Sequence, residues 1–97
     1  MRGSVAVQTP GGTETVPASI IGGLAVHRSV GWESGHALTP VRCGRRLARG
    51  SYRQMTALRR RLLALSVDWA NVRNVSDLGD LEPLRQAWRE TGLTPGF

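Results

Sequence analysis

Residues 51–65 read SYRQMTALRRRLLAL, and this stretch decides the fold class. Ser51 is followed three residues later by Gln54, the spacing at which each side chain bonds the other residue's backbone N–H and starts a helix. From Tyr52 to Leu65 there is neither Gly nor Pro. Met55, Leu58, Leu62 and Leu65 recur at spacings of three, four and three, which is one apolar stripe at about 100° per residue. Arg53 and Arg60 fall on the opposite side, with Arg59 and Arg61 flanking the stripe. A helix with one apolar face needs a surface to cover, and the segment before it supplies one.

Upstream, Leu24, Val26, Arg28 and Val30 alternate with Ala25, His27 and Ser29, the period of a half-buried strand. Gly31–Gly35 is then a loop containing Trp32. His36–Arg42 is a second strand candidate, with Pro40 suited to an edge or a bulge because it cannot donate to a ladder. Cys43-Gly44 stands where a tight turn needs a residue with positive φ. Arg45–Arg49 is a third strand with Leu47 directed to the core. These pieces predict an α+β fold: a small three-stranded antiparallel sheet, a meander, packed by one amphipathic helix, plus a second C-terminal helix.

Downstream, Ser66–Gly79 is a connector in which Trp69 is expected as a core plug or a lid. The second helix follows Asp80, whose side chain caps it, with Pro83 in the first turn where a missing N–H costs little. Leu81, Leu84 and Trp88 share one face, and Gly92 and Pro95 end the helix. Residues 1–23, punctuated by Pro10, Gly11, Gly12, Pro17, Gly22 and Gly23, read as an N-terminal arm or flexible tail. Residues 24–97 read as a single small α+β domain.

The charge is unevenly spread. The 97 residues hold thirteen cations and seven acids, and every cation is arginine. A GC-rich genome is one source of arginine in place of lysine, but it does not account for the excess of cations. Residues 28–61 contain nine arginines and one acid, Glu33, a net of +8, whereas residues 62–97 carry a net of −2. Such a concentration repels itself unless an anionic partner, internal acids or solvent offset it. Arginine's planar fork suits phosphate. Arg42, Arg45, Arg46 and Arg49 bracket the Cys43-Gly44 turn, so a hairpin there presents guanidinium groups to a groove or a phosphate backbone. Arg53, Arg59, Arg60 and Arg61 are placed to grip the flanking backbone, and Tyr52 and Trp32 to stack on bases. The competing expectation is that Asp77, Asp80 or Glu82 neutralises Arg45 and Arg46 within the fold.

Enzymatic chemistry has little support in the residue pattern. One cysteine, Cys43, permits no internal disulfide. His27, His36 and Cys43 amount to three metal ligands in number, but they lack the short paired spacing of a zinc site. No Gly-rich loop joins a strand to a helix in phosphate-binding order. The expectation is therefore a non-enzyme with neither metal nor cofactor. No apolar run reaches bilayer length, and the first 23 residues lack a secretion-signal pattern, so a cytoplasmic protein with no membrane partner is expected.

The order strand-strand-strand-helix resembles the small DNA-binding domains that precede the catalytic part of some phage integrases. The second helix and the arm have no counterpart in them. The resemblance is one of element order alone, and no diagnostic motif of those domains is present. The leading expectation is a small nucleic-acid-binding accessory or regulatory protein, phage-like, acting through Arg42–Arg61. The alternative is a protein–protein interaction or assembly protein with an acidic partner and the arm as tether.

Overall fold

The computed structural model describes residues 2–30, 34–74 and 78–95. In chain order it contains β1 (Arg2–Thr9), β2 (Gly12–Ile21), β3 (Leu24–Arg28), β4 (His36–Pro40), β5 (Ala48–Gly50) and α1 (Tyr52–Leu63). A short 3-10 turn (Trp69–Asn71) and α2 (Glu82–Glu90) complete it. The five strands form one antiparallel sheet in sequence order. The expected three-stranded meander is thus a five-stranded sheet, still of the α+β class. Five strands, not three, precede α1, so the likeness in element order to the integrase domains does not hold.

The two additional strands come from the segment that reads as an arm. Thr9 pairs with Gly12 across Pro10-Gly11, and Ile21 pairs with Leu24 across Gly22-Gly23. Both glycines of the second turn have positive φ, 58° and 85°, which a two-residue hairpin connection demands. Gly23 is also excluded from bearing a side chain by space, since an added Cβ would meet the backbone nitrogen of Ala70 at 2.5 Å. The glycines and prolines that suggest a loose arm are the corners of a meander. Pro17 is tolerated because the β2–β3 pairing begins only at Ser19, leaving the first part of β2 in a ladder with β1 alone.

β3 is buried on both faces. Leu24 and Val26 face the helices, in a core with Leu38, Met55, Leu58, Leu62, Trp69, Leu84 and Trp88. Ala25 lies in a second cluster with Val5, Val7 and Ala18. The half-buried strand expected at 24–30 is therefore enclosed from Leu24 to His27 and ends at Arg28. The sheet curls so that β1 returns to the opposite edge. The Gln8 backbone N–H donates to the Gly44 carbonyl at 2.8 Å, bridging β1 and the β4–β5 turn. Gly44 has φ 70°, and a Cβ there would stand 2.9 Å from the Ala6 carbonyl oxygen.

The helical layer follows its sequence signals closely. Both halves of the capping box form: Gln54 N–H donates to Ser51 Oγ at 3.1 Å, and Ser51 N–H donates to Gln54 Oε1 at 3.0 Å. Met55, Leu58 and Leu62 are fully buried, whereas α1 ends at Leu63, so Leu65, the fourth residue of the expected stripe, lies half-buried beyond the helix. Trp69 fills the core from the connector, and its indole N–H donates at 3.0 Å to the Leu62 carbonyl, which also accepts the Leu65 N–H at 3.1 Å, so the indole is satisfied while buried. α2 starts two residues after Asp80, whose carboxylate accepts the Glu82 N–H at 3.0 Å. It closes with Leu93 N–H to Trp88 O and Gly92 N–H to Arg89 O, the paired bonds of a Schellman end. The strand bounds are tighter than the sequence suggests, since β4 stops at Pro40 and β5 begins at Ala48.

Two substitutions test these supports by chemical denaturation. Ser51→Ala removes the cap and lowers stability by about 1 kcal/mol. Gly44→Ala combines a left-handed backbone with a carbonyl clash at the closure of the sheet. It is expected to cost more, roughly 1–3 kcal/mol. An unchanged midpoint for Gly44→Ala would show that the closure contributes nothing to stability.

Candidate nucleic-acid interface

The arginines of the basic segment divide into three groups. Arg42, Arg45 and Arg46 are exposed on the connection between β4 and β5. That connection is a pinned turn and not a projecting ribbon. Gly44 N–H donates to Pro40 O, Leu47 N–H donates to Leu38 O, and Gly44 O accepts from Gln8 on β1. Arg49, on β5, pairs in register with Ala37 and so belongs to the sheet face that also carries Ala25 and His27. Arg46 and Arg49 are each held by contacts within the fold.

On α1, Arg53 and Arg60 are exposed and, seven residues apart, share the outward stripe. Arg59 and Arg61 are committed elsewhere. Arg59 is 6% exposed, and its Nη1 donates to the Ser19 carbonyl at 2.7 Å and to Ser19 Oγ at 3.3 Å. Burial pulls its pKa below the ordinary arginine range, with Tyr52 nearby opposing the shift. Arg61 pairs with Glu90 across the α1–α2 contact. The eight arginines grouped by sequence therefore do not form one face. The turn and the outward stripe of α1 hold Arg42, Arg45, Arg53 and Arg60, which are exposed and have no carboxylate at ion-pair distance among the described residues.

The acidic third is mostly occupied with itself. Glu82 bonds Arg89 at 2.9 Å and lies 3.5 Å from Arg85, and the Arg89 hydrogen bond holds its carboxyl below the usual range. Asp68 accepts from Asn71, and Asp80 from the α2 backbone. Glu90 takes Arg61. Among the described residues, no carboxylate lies within ion-pair distance of Arg42, Arg45, Arg53 or Arg60. Neither Asp80 nor Glu82 neutralises Arg45. Asp77, Glu33 and Trp32 lie outside the described residues.

His27 sits on the inner side of the curl. Its Nδ1 is 2.7 Å from the Arg28 carbonyl, which can only accept, so Nδ1 carries the proton; Thr39 Oγ1, at 2.8 Å, then donates to Nε2. Burial pushes the His27 pKa below its ordinary 6.5. The Arg28 carbonyl bond opposes this, and the charges of His36 and Arg46 add to it. Cys43 is half-buried and free. Among the described residues, no three His, Cys, Asp or Glu side chains converge as a metal site, and no helix is long and apolar enough to cross a membrane.

No family model matches this chain, and neither the curated proteins nor the solved structures give a match.

His27 sets a pH dependence of stability. The unfolded chain takes up a proton on this ring before the folded chain does, so stability is fully present above about pH 6.5 and declines as pH falls through that value. Urea midpoints measured from pH 8 to 5 are expected to drop below about pH 6.5, and His27→Gln is expected to flatten the curve. A wild-type midpoint constant across that range would contradict the burial of a neutral ring.

Proposed function

We propose that this chain binds nucleic acid, as a small accessory or regulatory protein, through phosphate contacts of Arg42, Arg45, Arg53 and Arg60. The observation that carries this reading is the disposition of the acids. The carboxylates of the C-terminal third engage Arg61, Arg85, Arg89 and backbone groups, and leave those four arginines exposed with no described carboxylate beside them. With the backbone of the turn and of the helix already ordered, only the arginine side chains lose freedom on engaging phosphates, and each contact releases counterions. The turn lies along the surface, bonded to β1, so it supports backbone contact in preference to insertion into a groove.

Affinity for duplex DNA, measured by anisotropy, should fall linearly with salt on a logarithmic scale. The slope should be roughly 3–4 if all four arginines engage. Arg42→Ala with Arg45→Ala should reduce that slope by about 2 and weaken all duplex sequences alike. Absence of both DNA and RNA retention at about 50 mM salt would refute the proposal. Equal competition by polyglutamate and by DNA would favour an acidic protein as the partner instead.

A further inference from the structure

A second cationic cluster lies away from the turn and is assembled by strand register. Arg2 pairs with Ser19, and Ser19 with Val26. Val26 and Arg28 are two residues apart on β3, and Arg28 pairs with His36. Cross-strand partners and alternate residues share a face, so Arg2, Ser19, Val26, Arg28 and His36 all lie on the α1 side of the sheet. By strand spacing, Arg2 and Arg28 stand roughly 10–12 Å apart at their Cα atoms, within reach of a single phosphate for two extended guanidinium side chains. Arg59, from α1, fastens to Ser19 between them.

These residues line a cleft of about 590 Å³, and beyond Ser19, where the β2–β3 ladder ends, the lining continues to Val16 and Ala18, which register places on the opposite face with Ala25. That volume falls in the range of small-ligand sites. Tyr52, the first residue of α1, is part of the lining. Its ring meets His36 in a T-shaped contact, with centroids 5.2 Å apart and planes at 71°. The contact orients the ring while the residue remains 54% exposed. Glu14 is the carboxylate in the lining. Arg2 and Arg28 are exposed, and among the described residues neither has a carboxylate at ion-pair distance. Arg59 adds a desolvated positive charge behind Ser19, with neutral acceptors only. A bare anion would satisfy the arginines but not the exposed aromatic ring that lines the same cleft. A planar base joined to a phosphate satisfies both.

We infer that this cleft takes one unpaired nucleotide, its base against Tyr52 and its phosphate between Arg2 and Arg28. The inference rests on the nucleic-acid reading above for its source of ligand, and adds to it a preference for single-stranded ends or gaps. The probes are a single-stranded oligonucleotide carrying 2-aminopurine, the matching blunt duplex, and a free nucleoside monophosphate. Stacking should quench the 2-aminopurine fluorescence. Tyr52→Ala should weaken single-strand binding roughly 5- to 100-fold with duplex affinity nearly unchanged. Tyr52→Phe should restore it, which separates stacking from any effect on folding. Arg28→Ala should lower single-strand affinity in the same selective way. Equal losses on duplex and single strand, or quenching that survives Tyr52→Ala, would overturn the cleft assignment and leave the Arg42 and Arg45 contacts standing. Tyr52-dependent binding of the monophosphate without retention of any oligonucleotide would support the cleft and overturn the nucleic-acid reading. Failure of all three probes to bind would overturn both.

Discussion

The burial of β3 on both faces is the constraint on which the rest of this structure depends. Leu24 and Val26 close against α1 and the two buried tryptophans, while Ala25 and His27 are covered by the curled β1–β2 hairpin. A strand enclosed on both sides cannot carry unpaired backbone or charge at its centre. The small Ala25 lets the curl approach closely, and the one polar side chain, His27, has both ring nitrogens bonded. The hydrogen bond from Gln8 to Gly44 holds the curl by joining β1 to the turn between β4 and β5. Without that curl, Val5, Val7 and Ala25 would face water and the sheet would be a one-sided support for α1.

The same closure governs the electrostatics. A chain with a +8 segment folds without a matching block of acids because its arginines do different things. Arg59 is withdrawn into the α1–sheet junction, where it bonds a carbonyl and a hydroxyl. Arg61 ties α1 to α2 through Glu90, and Arg85 and Arg89 engage Glu82 within α2. Burying a guanidinium against neutral acceptors costs desolvation energy that an ion pair would partly offset. This cationic junction lies next to the exposed Tyr52 and the two sheet arginines. The outer arginines remain in solvent, where mutual repulsion is weakest and an anionic ligand gains most.

Local signals were legible where one residue type admits one physical solution. Ser51 and Gln54 announce the start of α1, the Met55–Leu62 stripe announces its buried face, and Trp69 in a polar connector announces a plug. Each is observed. The first two strands were obscured because glycine and proline serve both loose tails and tight turns. The informative detail was the spacing: Pro10-Gly11 and Gly22-Gly23 each occupy a two-residue gap between β-branched runs. The role of Arg59 had no local signature. Its neighbours Arg60 and Arg61 have the same composition, and only the angle around the helix and the arrival of β2 distinguish it.

By itself the sequence determined the α+β class, the position and face of α1, the end of α2 and the concentration of arginine between residues 28 and 61. These follow from short-range spacing, which sets backbone conformation within a few residues. The tertiary structure decided the number of strands, the burial of β3, which arginines are spent inside the fold, and the placing of Arg2, Arg28 and Tyr52 along one cleft. Those outcomes depend on strand register and on the curl of the sheet. Register brings together residues up to fifty positions apart, and no local pattern encodes it.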